Sequence, residues 1–535
     1  MKTTKSQAAA AARIEAAQTL RSAGELLERL RSCFVRTQTW QHAGRYVSAL
    51  VSEIPKRNGW TIAQQAGDRT PDRTQRLLNR AVWDEQAAMS AVRRFVVTGL
   101  DTVAGRRTRR GLRIGALDET GQQKAGTATA GVKRQYMGCA GRVANGINTV
   151  HLAYVRERVG HALIAVRQWI PAEHLADADT AAAMGIADGP AFRTKGQLAI
   201  DLRTDAYADG VVFDFVCGDE VYGNCTELRE FLEDRQQAYV LRVASTFMLT
   251  LHPETRMTCA NAITELATGA RRWQVRSAGA GAKGQRWYAW AWIATISPRH
   301  HLLVRRHLST GELAFHYCYV PHGQPLTLAR LVRAAGLRWP VEETFEFGKD
   351  RFGLDQCQTR LHTAIVRHTV LVMTALAICA IAAARLKTRT DTQAPPPAHT
   401  RPAATVRARH DRVDHPRDRT AARHHLAPAE ARRPRHPLAR RAHEADEHPD
   451  ELSPDGPTDP PPLRLIEGQG TAATAQPSLF PVAVPRTDAG PAPAATRGFG
   501  FCLSCHAGGQ YVLAAVADGD ACGFRLSHGR AGRSA

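Results

Sequence analysis

Apolar residues recur at three- and four-residue spacing in "GRYVSALVSEI" and again in "AAMSAVRRFVVTGL", which predicts amphipathic helices within residues 1–108. Between them, "GWTIAQQAGDRTPDRTQRLLNRAVWD" predicts a short helix, a break at Gly67 and a second helix from about Thr70 and Pro71. Proline suits a first helical position because the N–H it lacks would be unsatisfied there anyway. Over residues 109–250 the period changes. "LRIGALDE", "NTVHLAYV", "HALIAVRQWI", "VVFDFVCGDEVYG" and "QAYVLRVAS" are apolar runs of strand length, with a helix at "CTELREFLEDR". Residues 251–325 stay strand-like and carry Trp287, Trp290 and Trp292; residues 326–388 return to helix. Their apolar run Thr369–Ala384 has sixteen residues, short of the roughly 20 that span a bilayer, and reads as a buried core helix. The pattern predicts an α/β fold: a core in two parts, 109–250 and 326–388, interrupted by a β-rich insertion and preceded by a helical region.

After residue 389 the periodicity stops. Nineteen of the 28 prolines lie between 391 and 535, and neither Trp nor Lys occurs there. Residues 389–535 are therefore expected to be a disordered tail. The abrupt change also suits a shifted reading frame, which recovery of tail peptides by mass spectrometry from the native protein would refute. The length of 535 residues allows several folded units. The net charge of +21 changes the picture more, because only nine of the 71 basic residues are Lys. Arg binds phosphate in a planar, bidentate way, so nucleic acid is the leading partner class, although codon usage in GC-rich DNA also favours Arg. The eleven cysteines show no framework spacing, and "MKTTKSQAAAAARIEAAQTL" has no apolar signal core. Reduced thiols, a cytoplasmic location and no membrane are the expectations.

Candidate chemistry begins with acids that close strand-like runs. Asp118 follows "LRIGAL" and Asp219 follows "VVFDFVCG". Carboxylates at neighbouring strand ends are held rigidly and can share a divalent ion; the alternative is a turn or helix cap. Glu119, Asp214 and Glu220 compete with them. In "RWPVEETFEFGK", at about 100° per residue, Glu342, Glu346 and Lys349 fall on one helical face, with Glu343 roughly 100° round. Pro340 is expected to open that helix and to keep Trp339 out of it, leaving Arg338 in the preceding loop rather than one turn below Glu342. The predicted helix after Gly67 presents Arg73, Arg76 and Arg80, which suits either a helix-turn-helix reading of DNA or a plain helical hairpin. "CLSCH", Cys502 to His506, matches a haem-attachment pattern and, with Cys522 and His528, a partial zinc set. Without an export signal it reads as coincidence.

Three ordered stretches go further. "DETGQQKAGTATAGVKRQYMGCAGRVANGINTVHLAYV", "GDEVYGN" and "RWPVEETFEFGKDRFGLDQCQTRLHTAIVRH" resemble insertion-sequence transposases of the DDE superfamily, over roughly residues 35–387. Within them the chain is similar to the branch with a Tyr-Arg-Glu-Lys signature: Arg338, Glu342 and Lys349 meet its spacing, and Ala335 stands where the tyrosine would be. The resemblance implies an RNase H-like core split by a β-rich insertion (251–325). It implies Asp118, Asp219 and Glu342 as ligands of two Mg²⁺ or Mn²⁺ ions, with Arg338 and Lys349 on the DNA near the cut and Trp339 beside them. Lys124, Lys133 and Arg134, which follow the first Asp, are candidates to touch phosphate, with solvated surface the alternative for each. One insertion tryptophan would stack on an extruded base, at least two of the three being core. The implied activity is cut-and-paste transposition on double-stranded DNA, at element-end inverted repeats and target, by a homodimer whose residues 1–108 bind DNA. A binding protein that no longer cuts, or another RNase H-like nuclease, are the alternatives.

Overall fold

The computed structural model describes residues 5–107, 111–186, 191–266, 272–281, 284–393, 499–506 and 510–517. Five helices come first: α1 (Lys5–Leu30), α2 (Thr37–Val51), α3 (Gly59–Gln65), α4 (Asp72–Asn79) and α5 (Glu85–Arg107). The next part holds β1 (Arg113–Gln123), β2 (Lys133–Met137), β3 (Arg142–Arg156), β4 (Gly160–Trp169), α6 (Ala178–Ala183), α7 (Lys195–Ala208), β5 (Phe215–Gly218), α8 (Glu220–Gly223), α9 (Thr226–Asp234) and β6 (Tyr239–Val243). Then follow β7 (Met248–His252), β8 (Thr255–Thr258), α10 (Cys259–Leu266), β9 (Gln274–Gly281), β10 (Gly284–Ala294), β11 (His300–His307) and β12 (Leu313–Tyr319). The last helices are α11 (Leu328–Gly336), α12 (Pro340–Phe352) and α13 (His362–Gln393), and β13 (Phe499–His506) pairs antiparallel with β14 (Gln510–Ala517). The stretch expected to lack order thus contains the end of α13 and one hairpin; the rest of it, Cys522 and His528 included, lies outside the described residues.

β1 is buried along most of its length because helices cover both sheet faces, which is why its sequence reads as an apolar run rather than an alternation. It pairs antiparallel with β3 and parallel with β5, which pairs parallel with β6. β4 pairs antiparallel with β3, giving the order β4-β3-β1-β5-β6, three antiparallel strands followed by two parallel to the first. With α7 between β4 and β5, and helices after β6, this is an RNase H-like arrangement. Within the β-rich segment β7 and β8 pair only with each other, as a small antiparallel sheet, but the larger strands extend the core sheet. β12 pairs with β6, and β11, β10 and β9 follow outward, so one mixed sheet of ten strands runs through both parts.

α13 is long and apolar enough to cross a membrane by composition, but 83% of its apolar window is buried inside the protein. α1, α2, α5 and β4 pack around it. Val370, Leu371, Val372, Met373 and Ile381 are all essentially buried, each contributing about 1.5–3 kcal/mol on leaving water. The N-terminal helices share one hydrophobic core with the sheet, from Ala23 to Ala384. At the end of α12, Gly353 adopts φ +65, the left-handed conformation that stops the helix. His368 of α13 fixes that stop: its Nε2 donates to the Gly353 carbonyl (3.0 Å), and its Nδ1 accepts from the Tyr46 hydroxyl of α2 (2.8 Å).

Candidate active site

The site starts from register. β1 and β5 are parallel neighbours with Ala116 opposite Cys217, so Asp118 and Asp219 each stand two residues beyond a matched pair. Asp118, inside β1, and Asp219, one residue past the end of β5, therefore sit at one level of adjacent strands, which lie about 4.8 Å apart. Asp118 is buried; its Oδ1 accepts from the Glu119 backbone N–H (2.9 Å) and its Oδ2 from Arg338 Nη1 (2.7 Å). Asp219 caps α8, accepting from the Val221 N–H (3.0 Å). Cap and candidate ligand are compatible roles, since the cap uses only Oδ1. A Cβ on Gly223 of α8 would lie 1.7 Å from the Arg242 carbonyl, so glycine is what lets α8 seat against β6 and fix Asp219.

Glu342 enters from above, in the first turn of α12, and its carboxylate receives the other arm of the Arg338 guanidinium. Arg338 thus bridges Asp118 and Glu342, and Asp219 is close enough to add to the negative field it feels. Burial chiefly, then the charges of Asp219 and Glu342, push the Asp118 carboxyl up to about 6 against the pull of Arg338. Lys349 lies further along α12, near His151, the residue paired with Asp118 across β1 and β3. Burial first, then the Lys349 charge, hold His151 neutral, with a pKa of about 3.

Arg338 does lie in the turn between α11 and α12, but Trp339 is helical, at φ −50 and ψ −39. The restraint of Pro340 on its neighbour is a preference of limited size, and the turn closes helically: Val341 N–H donates to the Arg338 carbonyl (3.1 Å). Arg338 therefore reaches Glu342 as an i,i+4 partner, contrary to the expectation that the two are not one turn apart.

The competing acids have other partners. Glu119 points to the opposite face of β1, where Lys195 pairs with it and Tyr222 donates to it (3.2 Å). Asp214 pairs with Arg113 (3.3 Å) and Arg330 (3.8 Å), and Glu220 with Arg242 (3.0 Å). Glu343 faces His161 (3.7 Å), and Glu346 is exposed. Asp118 and Glu342 are left sharing one guanidinium, with Asp219 in its field. Among the described residues no three of His, Cys, Asp and Glu are gathered tightly enough to ligate an ion directly. The donor set nonetheless fits a hard divalent cation: three carboxylates against a single positive charge, with Arg338 lying between two of them.

The other candidates divide. Arg134 is exposed on β2, and Trp339 is partly exposed with Arg286 over its ring (5.3 Å). Lys124 is tied inward, donating to the Cys357 carbonyl (2.5 Å), and Lys133 pairs with Glu173 (2.9 Å). Arg73, Arg76 and Arg80 are exposed along α4, which follows a left-handed turn at Gly67; Arg73 pairs with Asp68 (3.1 Å). α4 packs on α2, α3 and α13, away from the strands that carry the acids. Of the three insertion tryptophans only Trp290 is core, at 1% exposure; Trp287 (54%) and Trp292 (37%) are on the surface. The count of two core tryptophans fails because Trp287 lies on the opposite face of β10 from Trp290, while Trp292, on the same face as Trp290, sits toward the end of the strand, stacked on His301 (5.2 Å).

Three arginines went unnoticed in the sequence. The register carries the face of Asp118 outward through Cys217 and Val240 to Arg242, then His316, then Arg305 opposite Trp290. Arg305 lies over the Tyr288 ring (4.7 Å), and the Nε atoms of Arg305 and Arg286 have no hydrogen-bond partner. Burial first, then the charges of Arg305, Arg242 and Arg338, hold His316 neutral, with a pKa of about 3. For Arg242 the signal was present as one charged residue among apolar ones in "VLRVAS"; Arg305 is masked by Arg306 and His307 in "LLVRRH". An acidic cluster bordered by a cationic sheet face suits a polyanion that must meet bound cations at one point.

A family model described as DDE superfamily endonuclease matches residues 29–291, a span that contains Asp118 and Asp219 and ends before α12. No curated protein matches the chain.

Proposed function

Since this chain belongs, over residues 29–291, to the DDE superfamily of endonucleases, we propose that it is a transposase that cuts DNA at the ends of a mobile element and joins the freed ends to target DNA. The observation that carries this reading is that Asp118 and Asp219 stand level on adjacent parallel strands while Arg338 ties Asp118 to Glu342 of α12, within the field of Asp219. Asp118, Asp219 and Glu342 would hold Mg²⁺ or Mn²⁺, which supplies activation of an attacking oxygen and charge stabilisation of the leaving one.

The protein's own groups do the positioning. β1 and the β5–α8 junction hold two carboxylates rigidly, and the positive charges of Arg286 and Arg305 on the neighbouring sheet face favour backbone phosphate. Lys349 and Arg338 would grip the strand beside the acids. Trp287 offers an exposed ring on which an unstacked base can rest. The α3–Gly67–α4 unit, with Arg73, Arg76 and Arg80 exposed, suits recognition of the inverted repeats, and two paired ends call for two copies of the chain. Cleavage without joining would be the reading as another RNase H-like nuclease. Incubating the full chain and Mg²⁺ with a labelled duplex of the sequence flanking its gene separates them. The proposal expects nicking at the repeat end and transfer of pre-cut ends into plasmid DNA; nicking with no transfer would refute it.

A further inference from the structure

The Arg338 side chain sits where a cation would, between Asp118 and Glu342, and it meets each through one nitrogen only. We propose that this guanidinium is a built-in stand-in: in the DNA-free protein it neutralises the acid cluster, and a DNA phosphate that draws it away opens the cluster to divalent ions, so that ion binding is coupled to DNA binding. The inference rests on Asp118, Asp219 and Glu342 being the ion site.

Charge is the first argument. Two carboxylates bond the guanidinium while Asp219 adds to the negative field around it, and a divalent ion would neutralise the same Asp118 and Glu342 oxygens that Arg338 now holds. Guanidinium and ion therefore compete for Asp118 and Glu342. Reach is the second. Arg338 is carried by the short turn Leu337–Trp339 between two helices, and its side chain is 21% exposed, so it can move without disturbing either helix. Asp118 keeps its backbone hydrogen bond from Glu119 when Arg338 leaves.

The third argument is destination. Beyond Arg338 stand Arg305 and Arg286, the one exerting a repulsive field that Arg338 shares and the other close enough to feel Glu342 and Glu343. A phosphate settling among these cations offers Arg338 a planar, bidentate partner in place of two single contacts. Because coupling between two ligands is reciprocal, ions bound at the acids would also tighten DNA. The consequence is a nuclease that is poorly loaded until its substrate arrives.

The test measures Mn²⁺ binding by loss of the free-ion electron paramagnetic resonance signal, with the full chain, Arg338→Gln, Arg338→Met and Asp118→Asn, and with melting curves to show that each variant is folded. Without DNA, Arg338→Gln and Arg338→Met are expected to bind Mn²⁺ at least ~10-fold more tightly than the unmodified protein, within the usual range of such couplings. A short mixed-sequence DNA duplex should raise the affinity of the unmodified protein and leave Arg338→Gln unchanged. Folded Arg338 variants that bind Mn²⁺ no more tightly than the unmodified protein would overturn the stand-in role, as would a duplex without effect on the unmodified protein. Asp118→Asn binding Mn²⁺ like the unmodified protein would overturn instead the assignment of the ion site on which it rests.

Discussion

The contact that anchors the far end of α12 makes a pH-dependent prediction. His368 is fully enclosed, and both ring nitrogens are used: Nε2–H donates to Gly353, and Nδ1 accepts from Tyr46. Only the neutral ring satisfies both. Burial is the main cause that lowers its pKa from 6.5 to about 4. The unfolded chain therefore takes up a proton on this ring near pH 6.5, and the folded chain only near pH 4. Stability from the neutral ring is complete above pH 6.5 and is lost as pH falls through that window. At 1.36 kcal/mol per unit, the loss from His368 alone approaches ~3 kcal/mol at its lower end, and is about 2.5 kcal/mol at pH 4.5. The measurement is urea unfolding at pH 7.0, 5.5 and 4.5, comparing the unmodified protein with His368→Leu. Carboxylates and the other buried histidines titrate alike in both, so they cancel in the comparison. The variant should be less stable at pH 7, where the Tyr46 hydroxyl and the Gly353 carbonyl lose their partner, but its stability should fall less steeply toward acid. Parallel curves, with a constant gap at all three pH values, would refute the linkage.

Other consequences are more local. Arg305→Ala should weaken binding to any DNA duplex and reduce the slope of log affinity against log salt by about one, read from filter binding across a salt series. Gly223→Ala should destabilise the fold by about 1–3 kcal/mol, because its Cβ meets the backbone carbonyl of Arg242, which cannot swing aside; chemical denaturation reads this directly. Trp290→Ala should cost about 3–5 kcal/mol of stability, whereas Trp287→Ala should change stability by less than about 0.5 kcal/mol while impairing steps that need an unstacked base.

Much of the core was legible because local pattern carried it. The runs that carry Asp118 and lead to Asp219 are strands, although β1 continues past Asp118 to Gln123 instead of closing there, and the stretch from Pro340 is a helix. What escaped depends on pairings between distant segments. Period-two alternation identifies β6 and β12 as strands but does not say that Val240 faces Cys318, so the insertion's continuation of the core sheet was hidden. With that pairing hidden, Arg242 and Arg305 could not be placed on the face of Asp118. Helical periodicity likewise shows that α1, α2 and α5 have apolar faces, not that α13 is what they cover. At Trp339 a local rule gave the wrong conformation, because a preference of limited size yielded to the packing of α11 and α12.

The central claim is that Glu342, outside the span matched by the family model, completes the set begun by Asp118 and Asp219. The direct measurement is Mg²⁺-dependent cleavage of a repeat-end duplex by Glu342→Ala, with binding to the same duplex measured in parallel. The account predicts that cleavage falls at least ~100-fold, the scale for removing a group that supports transition-state charge, while DNA affinity is kept. Cleavage at the unmodified rate by a folded Glu342→Ala protein would contradict it.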